Sequence, residues 1–193
     1  RQVKIAQSVS PPAAYVIPPQ WTKVIERLQV HGVTMRRIEH DVRTKADVSL
    51  LASPQYATAS FEGRIAISAF THRREAREMP VRAGSWLVPM DQPLANVALH
   101  ILEPDAPDSA LRSGDFNIIF EQREYADARV AEQLARDLMA KDPKLKAEFE
   151  AKLAAEPEFA KNPYARLNWF YLRSNWGEWD LGLYPVLRLD AAA

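Results

Sequence analysis

Between Gly84 and Pro104 a short apolar run, Trp86-Leu-Val-Pro-Met90, passes within a few residues into a helical pattern. Leu94, Val97, Ala98 and Ile101 recur there at i, i+3, i+4 and i+7. That spacing puts four apolar side chains on one side of a helix, so the segment predicts a strand feeding a helix that faces a core. The same design occurs near the start. Tyr15-Val-Ile-Pro18 is again aromatic, aliphatic, aliphatic, proline; Gln20 follows, and Trp21, Val24, Ile25 and Leu28 give the helical stripe. Gly32 supplies a left-handed stop after His31, and Val33 to His40 reads as a second strand. A strand, a helix and a strand in that order predict parallel pairing of the two strands.

From Asp41 to Arg82 the period changes to two. Val42, Thr44, Ala46 and Val48 alternate with Arg43, Lys45 and Asp47, and Phe61, Gly63, Ile65, Ile67 and Ala69 alternate with Glu62, Arg64, Ala66 and Ser68. Such alternation predicts half-exposed antiparallel strands, with Ala52 to Ala57 as the loop between them. Phe116 to Phe120 is a short apolar run, helix or strand. Beyond it the pattern is helical: Val130, Leu134 and Leu138, then Leu145, Phe149 and Leu153 after Asp142-Pro143, then Tyr164, Leu167, Phe170 and Tyr171. Leu183 to Leu189 closes as a strand, with Pro185 pointing to a sheet edge. The expected fold is α+β: βα units on a mixed sheet, an antiparallel hairpin section and a helical C-terminal third. Residues 1–12 read as a linker and 13–193 as one domain, dividing into a βα and hairpin lobe over 13–104 and a mainly helical lobe over 105–193. Residues 191–193 read as a frayed end.

Composition removes several classes of function. Lys plus Arg and Asp plus Glu are both 25 in 193 residues, so bulk charge draws the chain neither to nucleic acid nor to an anionic membrane. The basic clusters Met35 to Ile38 and His72 to Glu75 are short and flanked by acids. There is no cysteine, which excludes disulfides and thiolate zinc sites. No apolar run is long enough to span a bilayer.

Few residues form a pattern with chemistry in it. Ser60, Ser68 and Ser85 lack a Gly-x-Ser-x-Gly elbow, and six glycines make no phosphate-cradling loop. Asp105 and Asp108 lie in a proline-rich turn and read as helix caps. His72-Arg-Arg-Glu75 has two metal-ligand types at i and i+3, but on a strand those positions face opposite ways, so the reading is a polar hairpin tip. Gln20 with Trp21, and Asp91 with Gln92, follow the two similar strands. They are candidate binding residues, since α/β sheets hold ligands at the carboxyl ends of strands; this would make a free-standing peptide- or sugar-binding module. Trp169, Tyr171, Trp176 and Trp179 make the end of the chain dense in aromatics and are candidate interface residues.

Three stretches, Ala14 to Trp21, Gly84 to Pro104 and Asn168 to Ser174, in that order, resemble the region that follows the catalytic domain in bacterial zinc carboxypeptidase-like proteins of the M14 metallopeptidase family. The resemblance runs over Ala14 to Ile38 and Gly84 to Asp190. It implies a parent polypeptide with zinc in a separate catalytic domain, exported to the periplasm or secreted. It implies that this chain carries no cofactor of its own and packs on that domain, shaping substrate access or stability. The family's zinc motif is His-x-x-Glu with a distant second histidine, but it belongs to the catalytic domain. No family catalytic residue carries over to a position here, and His72 and Glu75 are disfavoured as ligands.

Overall fold

A computed structural model describes residues 8–190. The expected linker therefore falls mostly, and the frayed end wholly, outside the described residues. The fold is α+β, with two compact units. The first takes residues 8–120 and 182–190, and the second is Glu121–Leu181. The division thus falls after residue 120 rather than 104, and the chain returns to the first unit for its last strand.

The first unit is built on a six-stranded sheet: β1 (Ala14–Ile17), β2 (Arg36–Arg37), β3 (Val42–Tyr56), β4 (Ile67–Val81), β5 (Trp86–Pro89) and β6 (Leu187–Leu189). The order is β2-β5-β1-β6-β3-β4, and the pairings are antiparallel throughout. The expected parallel pairing of the first two strands does not occur. β5 lies between β1 and β2, and only Arg36 and Arg37 of the expected second strand join the ladder. The two look-alike segments pair with each other instead, Tyr15 opposite Val88 and Ile17 opposite Trp86. β6 is internal rather than an edge. Pro185 precedes its ladder residues, so the missing N–H costs no strand bond. The expected loop at 52–57 is strand with a bulge: the register shifts between Ala52 and Gln55, where Ser53 takes φ of 53° and Pro54 finds its tolerated place.

Two apolar clusters lie on opposite faces of the sheet. On one face, α1 (Thr22–Val30) and α2 (Ala95–Leu102) cover Tyr15, Ile17, Leu51, Ile67 and Val88 with Val24, Ile25, Leu28, Ala98, Ile101 and Leu102. The helical stripes expected from spacing are the buried ones. The other face holds Val16, Ala46, Val48, Met79, Val81 and Leu187, against which Ile38 and Leu87 pack from the far end of the sheet. Among the described residues no helix contributes to it.

The second unit is helical: α3 (Ala128–Lys141), α4 (Pro143–Ala155), α5 (Pro157–Lys161) and α6 (Pro163–Tyr171). Asp142 caps α4 and Asn162 caps α6, each directly before a proline at the first helical turn. The buried face of α3 is Ala131 and Ala135, with Leu138 and Met139 beside them, while Val130 is exposed. Phe149 is its aromatic centre, with ring centroids 4.5 Å from Phe170 and 5.4 Å from Trp169.

Gly182 offers a direct test of the first unit's packing. Its φ is +72°, its carbonyl accepts from Leu51 N–H, and a Cβ would lie 2.2 Å from Leu51 O. Gly182→Ala should cost about 2–4 kcal/mol in urea unfolding. Gly63, with φ of +74° and no heavy atom within 4 Å of such a Cβ, should lose only about 1 kcal/mol on the same change.

Candidate functional site

The sheet face that holds the helices also carries a polar group of side chains, and register explains its membership. Tyr15 is opposite Arg188, and Arg188 is opposite Asp47, so the three form a row across β1, β6 and β3. Ser49 is opposite Arg74 and Leu51 opposite His72, which puts Ser49, Arg74 and His72 on that same face. The turn after α2 adds Glu103 and Asp105.

Glu103 is 2% exposed, and its carboxylate holds three donors. Tyr15 O–H donates to Oε1 at 2.5 Å, Arg74 Nη2 donates to Oε2 at 2.6 Å, and Arg188 Nη1 also bonds Oε1. A buried carboxylate shared by two guanidiniums and a phenol offsets its own desolvation through charge-assisted bonds. Arg188 further reaches Asp47 at 3.5 Å and donates from Nη2 to Ser10 O at 2.7 Å. Burial, then the charge of Arg74, pulls the Arg188 pKa down from its ordinary value. Burial pushes the Tyr15 phenol up to about 12, and that of Tyr184, which donates to Leu102 O at 2.9 Å, well above the usual tyrosine value.

Beside this group, His72 Nδ1 is 2.5 Å from Asp105 Oδ2 and His72 Nε2 is 2.9 Å from Ser49 Oγ. The Asp105 carboxylate accepts only, so in the neutral ring Nδ1 carries the proton and Nε2 is the acceptor. Ser49 is therefore the donor in its bond to the histidine. Serine, base and orienting acid in sequence is the arrangement that activates a hydroxyl. Asp105 serves this histidine rather than capping a helix. A recess of about 280 Å³, lined by Ser8, Val9, His72, Arg73, Arg74 and Asp105, opens beside the relay.

The residues singled out from the sequence are dispersed. Because β1 and β5 run antiparallel, Ile17 opposite Trp86 and Ala14 opposite Pro89, their carboxyl ends point in opposite directions. Gln20 and Trp21 thus lie at one end of the strand pair and Asp91 and Gln92 at the other; the rule that gathers ligands at strand ends belongs to parallel sheets. Trp21 stacks edge-on to Phe116 at 4.5 Å. Gln20 and Asp91 are exposed. Gln92 accepts from Thr34 N–H at 2.7 Å and donates to Thr34 O and Pro89 O, splinting the entry to α2. His72 and Glu75 lie within β4 rather than at a hairpin tip. Their partners Leu51 and Val48 belong to the two opposite clusters, so the two side chains face opposite ways. Among the described residues no three His, Asp or Glu side chains are grouped to hold a metal ion.

Trp169 and Tyr171 are buried, and Trp176 and Trp179 are 77% and 66% exposed. The loop that presents the latter pair is tied down. Arg123 donates through its backbone N–H and Nε to Glu178 and through Nη2 to both oxygens of Asp180, and a Cβ on Gly177 would lie 2.7 Å from Tyr171 O.

The serine was not visible in the sequence. Ser49 sits mid-strand with no motif around it, and only the β3–β4 register brings it to His72. The one available signal was that Asp47, Ser49 and Leu51 share a period-two face with a buried end.

Two outcomes follow from the buried groups. Removing the shared carboxylate in Glu103→Ala leaves two guanidiniums without their anion and should lower stability by about 3–5 kcal/mol in urea titration. The raised Tyr15 and Tyr184 pKa values give an alkaline dependence. The unfolded phenols ionise near 10 while the native ones stay protonated, so the unfolded state binds fewer protons and stability falls as pH rises from 10 toward 12. Tyr15→Phe should flatten that fall, and absorbance at the phenolate band should show two of the six tyrosines silent until the protein unfolds.

No family model matches the chain, and no solved structure does. Among curated proteins it is 33% identical over 100 residues to carboxypeptidase 2 of Trichophyton tonsurans, which is 52% of this chain and 18% of that protein. It is 32% identical over 100 residues to carboxypeptidase 2 of Trichophyton equinum, with the same coverage. A probable carboxypeptidase 2 of Trichophyton verrucosum is 31% identical over 94 residues, 49% of this chain and 18% of that protein. The matches are fungal, and the chain spans under a fifth of the length of these relatives. About half of this chain is thus a carboxypeptidase-related region.

Proposed function

We propose that this chain is an accessory region of an M14-like zinc metallocarboxypeptidase, packing on the catalytic domain of the same polypeptide and shaping substrate access or stability. The observation that carries this reading is the match itself: about 100 residues related to carboxypeptidase 2 proteins, occupying 18% of their length. Zinc belongs to the catalytic domain, and the parent is an exported protein, periplasmic or secreted; its bacterial origin rests on the resemblance of the motifs. The opposed orientation of His72 and Glu75 supports keeping the zinc chemistry out of this region.

Trp176 and Trp179 are the aromatic anchors of the packing surface. Two large apolar side chains held in water by a pinned loop are costly unless a partner covers them. The test joins the purified chain to the catalytic domain of its own polypeptide in a binding titration. Association should be saturable, and Trp176→Ala or Trp179→Ala should weaken it by about tenfold or more. The chain alone, supplied with zinc, should release no C-terminal amino acid from a peptide. Peptide turnover by the chain alone, or no association with the catalytic domain, would overturn the reading.

A further inference from the structure

Ser49, His72 and Asp105 come from β3, β4 and the turn after α2, and each is fixed by a neighbour outside the trio. Tyr184 N–H holds the Ser49 carbonyl at 2.9 Å. His72 is set by the β3–β4 register. Asp105 follows Glu103, which is locked by Tyr15, Arg74 and Arg188, and Ser109 Oγ donates to the intervening Pro104 O at 3.0 Å. Preorganisation of this kind distinguishes a working constellation from a chance hydrogen bond. Arg74 stands directly across the ladder from Ser49, and its buried Nε–H has no hydrogen-bond partner among the described residues. That is an unused cationic donor on the residue directly across the ladder from Ser49.

We propose that Ser49, His72 and Asp105 form an acyl-transfer centre that hydrolyses small carboxylic esters. In the first step Ser49 Oγ bonds to the ester carbonyl carbon while its proton passes to His72 Nε2. The carbon–alkoxide bond then breaks, and the leaving alkoxide takes that proton. Water, deprotonated by the same Nε2, then attacks the acyl-serine; the acyl–Oγ bond breaks, Ser49 Oγ takes the proton back from His72 and the acid leaves. Asp105 holds the ring in the tautomer that keeps Nε2 free to accept. The recess beside His72, Arg74 and Asp105 is shallow and Ser49, which is buried, does not line it, so the centre is suited to a short acyl group rather than a folded chain or a long peptide.

Ser49 is 2% exposed, so the centre is covered. Ser8 and Val9 line the recess beside His72 and Asp105, and the Ser10 carbonyl is tied to Arg188 Nη2. Reaction requires the buried hydroxyl to be uncovered, which predicts slow labelling rather than the rapid turnover of an open site. The activity needs neither zinc nor a second domain, so it stands or falls apart from the accessory role.

The test is a fluorophosphonate probe on the intact protein with a metal chelator present, the adduct located by peptide mass spectrometry, alongside release of p-nitrophenol from p-nitrophenyl acetate. The expected result is a single adduct on Ser49. Ester turnover should be lost in Ser49→Ala and lowered about a hundredfold or more in His72→Gln and Asp105→Asn. Absence of an adduct on Ser49, in a mixture where a known serine esterase is labelled, would overturn the proposal. So would ester release that survives Ser49→Ala. The adduct is read on the unsubstituted chain, so the result holds even where a variant fails to fold.

Discussion

The first unit depends on one carboxylate. Glu103 lies at the end of α2, and through three bonds it joins that helix to β1 by Tyr15, to β4 by Arg74 and to β6 by Arg188. An isolated charge at such depth would neutralise or drag water in. Two guanidiniums and a phenol remove that option and fix directions as well as charge, since each bond has a required geometry. An apolar residue in its place could fill the space but would leave two buried cations to be housed elsewhere. The cluster thus trades some stability for register, holding α2 against three strands that are far apart in sequence.

The two sheet faces differ in what they ask of the chain. The face under α1 and α2 mixes an apolar centre with the polar row, and there the alternation of β3 changes character from Asp47 and Ser49 to Leu51. The opposite face carries an apolar cluster that includes Val16, Ala46, Val48, Met79 and Val81, with Ile38 and Leu87 packed against it. Arg73, Glu75 and Arg77 of β4 stand on that same face, opposite Leu50, Val48 and Ala46. The three form a local ion group, Glu75 bonded to both arginines, which also suits an edge strand that must not recruit another chain.

What the sequence made legible was local. The stripes of α1 and α2, the left-handed Gly32, the Asp142-Pro143 helix start and the period-two run of β3 each follow from residues within about ten positions of one another, where periodicity and capping act. Pairing partners were not legible. Tyr15-Val-Ile-Pro18 and Trp86-Leu-Val-Pro89 look alike because both strands serve the same core. Likeness does not reveal that they face each other head to tail, and the parallel inference failed for that reason. The polar group was hidden for the same cause. Tyr15 and Ser49 carry no motif that names their polar partners, which only the strand register and the turn after α2 bring near. The strand ends marked as ligand sites belonged to a parallel sheet that is not there.

The placement of β6 has a consequence for how the chain is made. This strand lies between β1 and β3, yet it is among the last described residues of the chain, and Val16 meets Leu187 only after everything between has been synthesised. Until then β1 and β3 each lack a neighbour, and the buried face of the sheet has a gap one strand wide. The chain enters the helical unit after Phe120 and leaves it before Gly182, and Gly182 N–H bonds Ile119 O at 2.8 Å, so both ends of that excursion are stitched together. On a ribosome the helical unit, made of local contacts, can form first, while the sheet that surrounds it in sequence must wait. The last strand acts as a keystone: whatever truncates the chain before Leu187 leaves a half-built sheet rather than a shorter one.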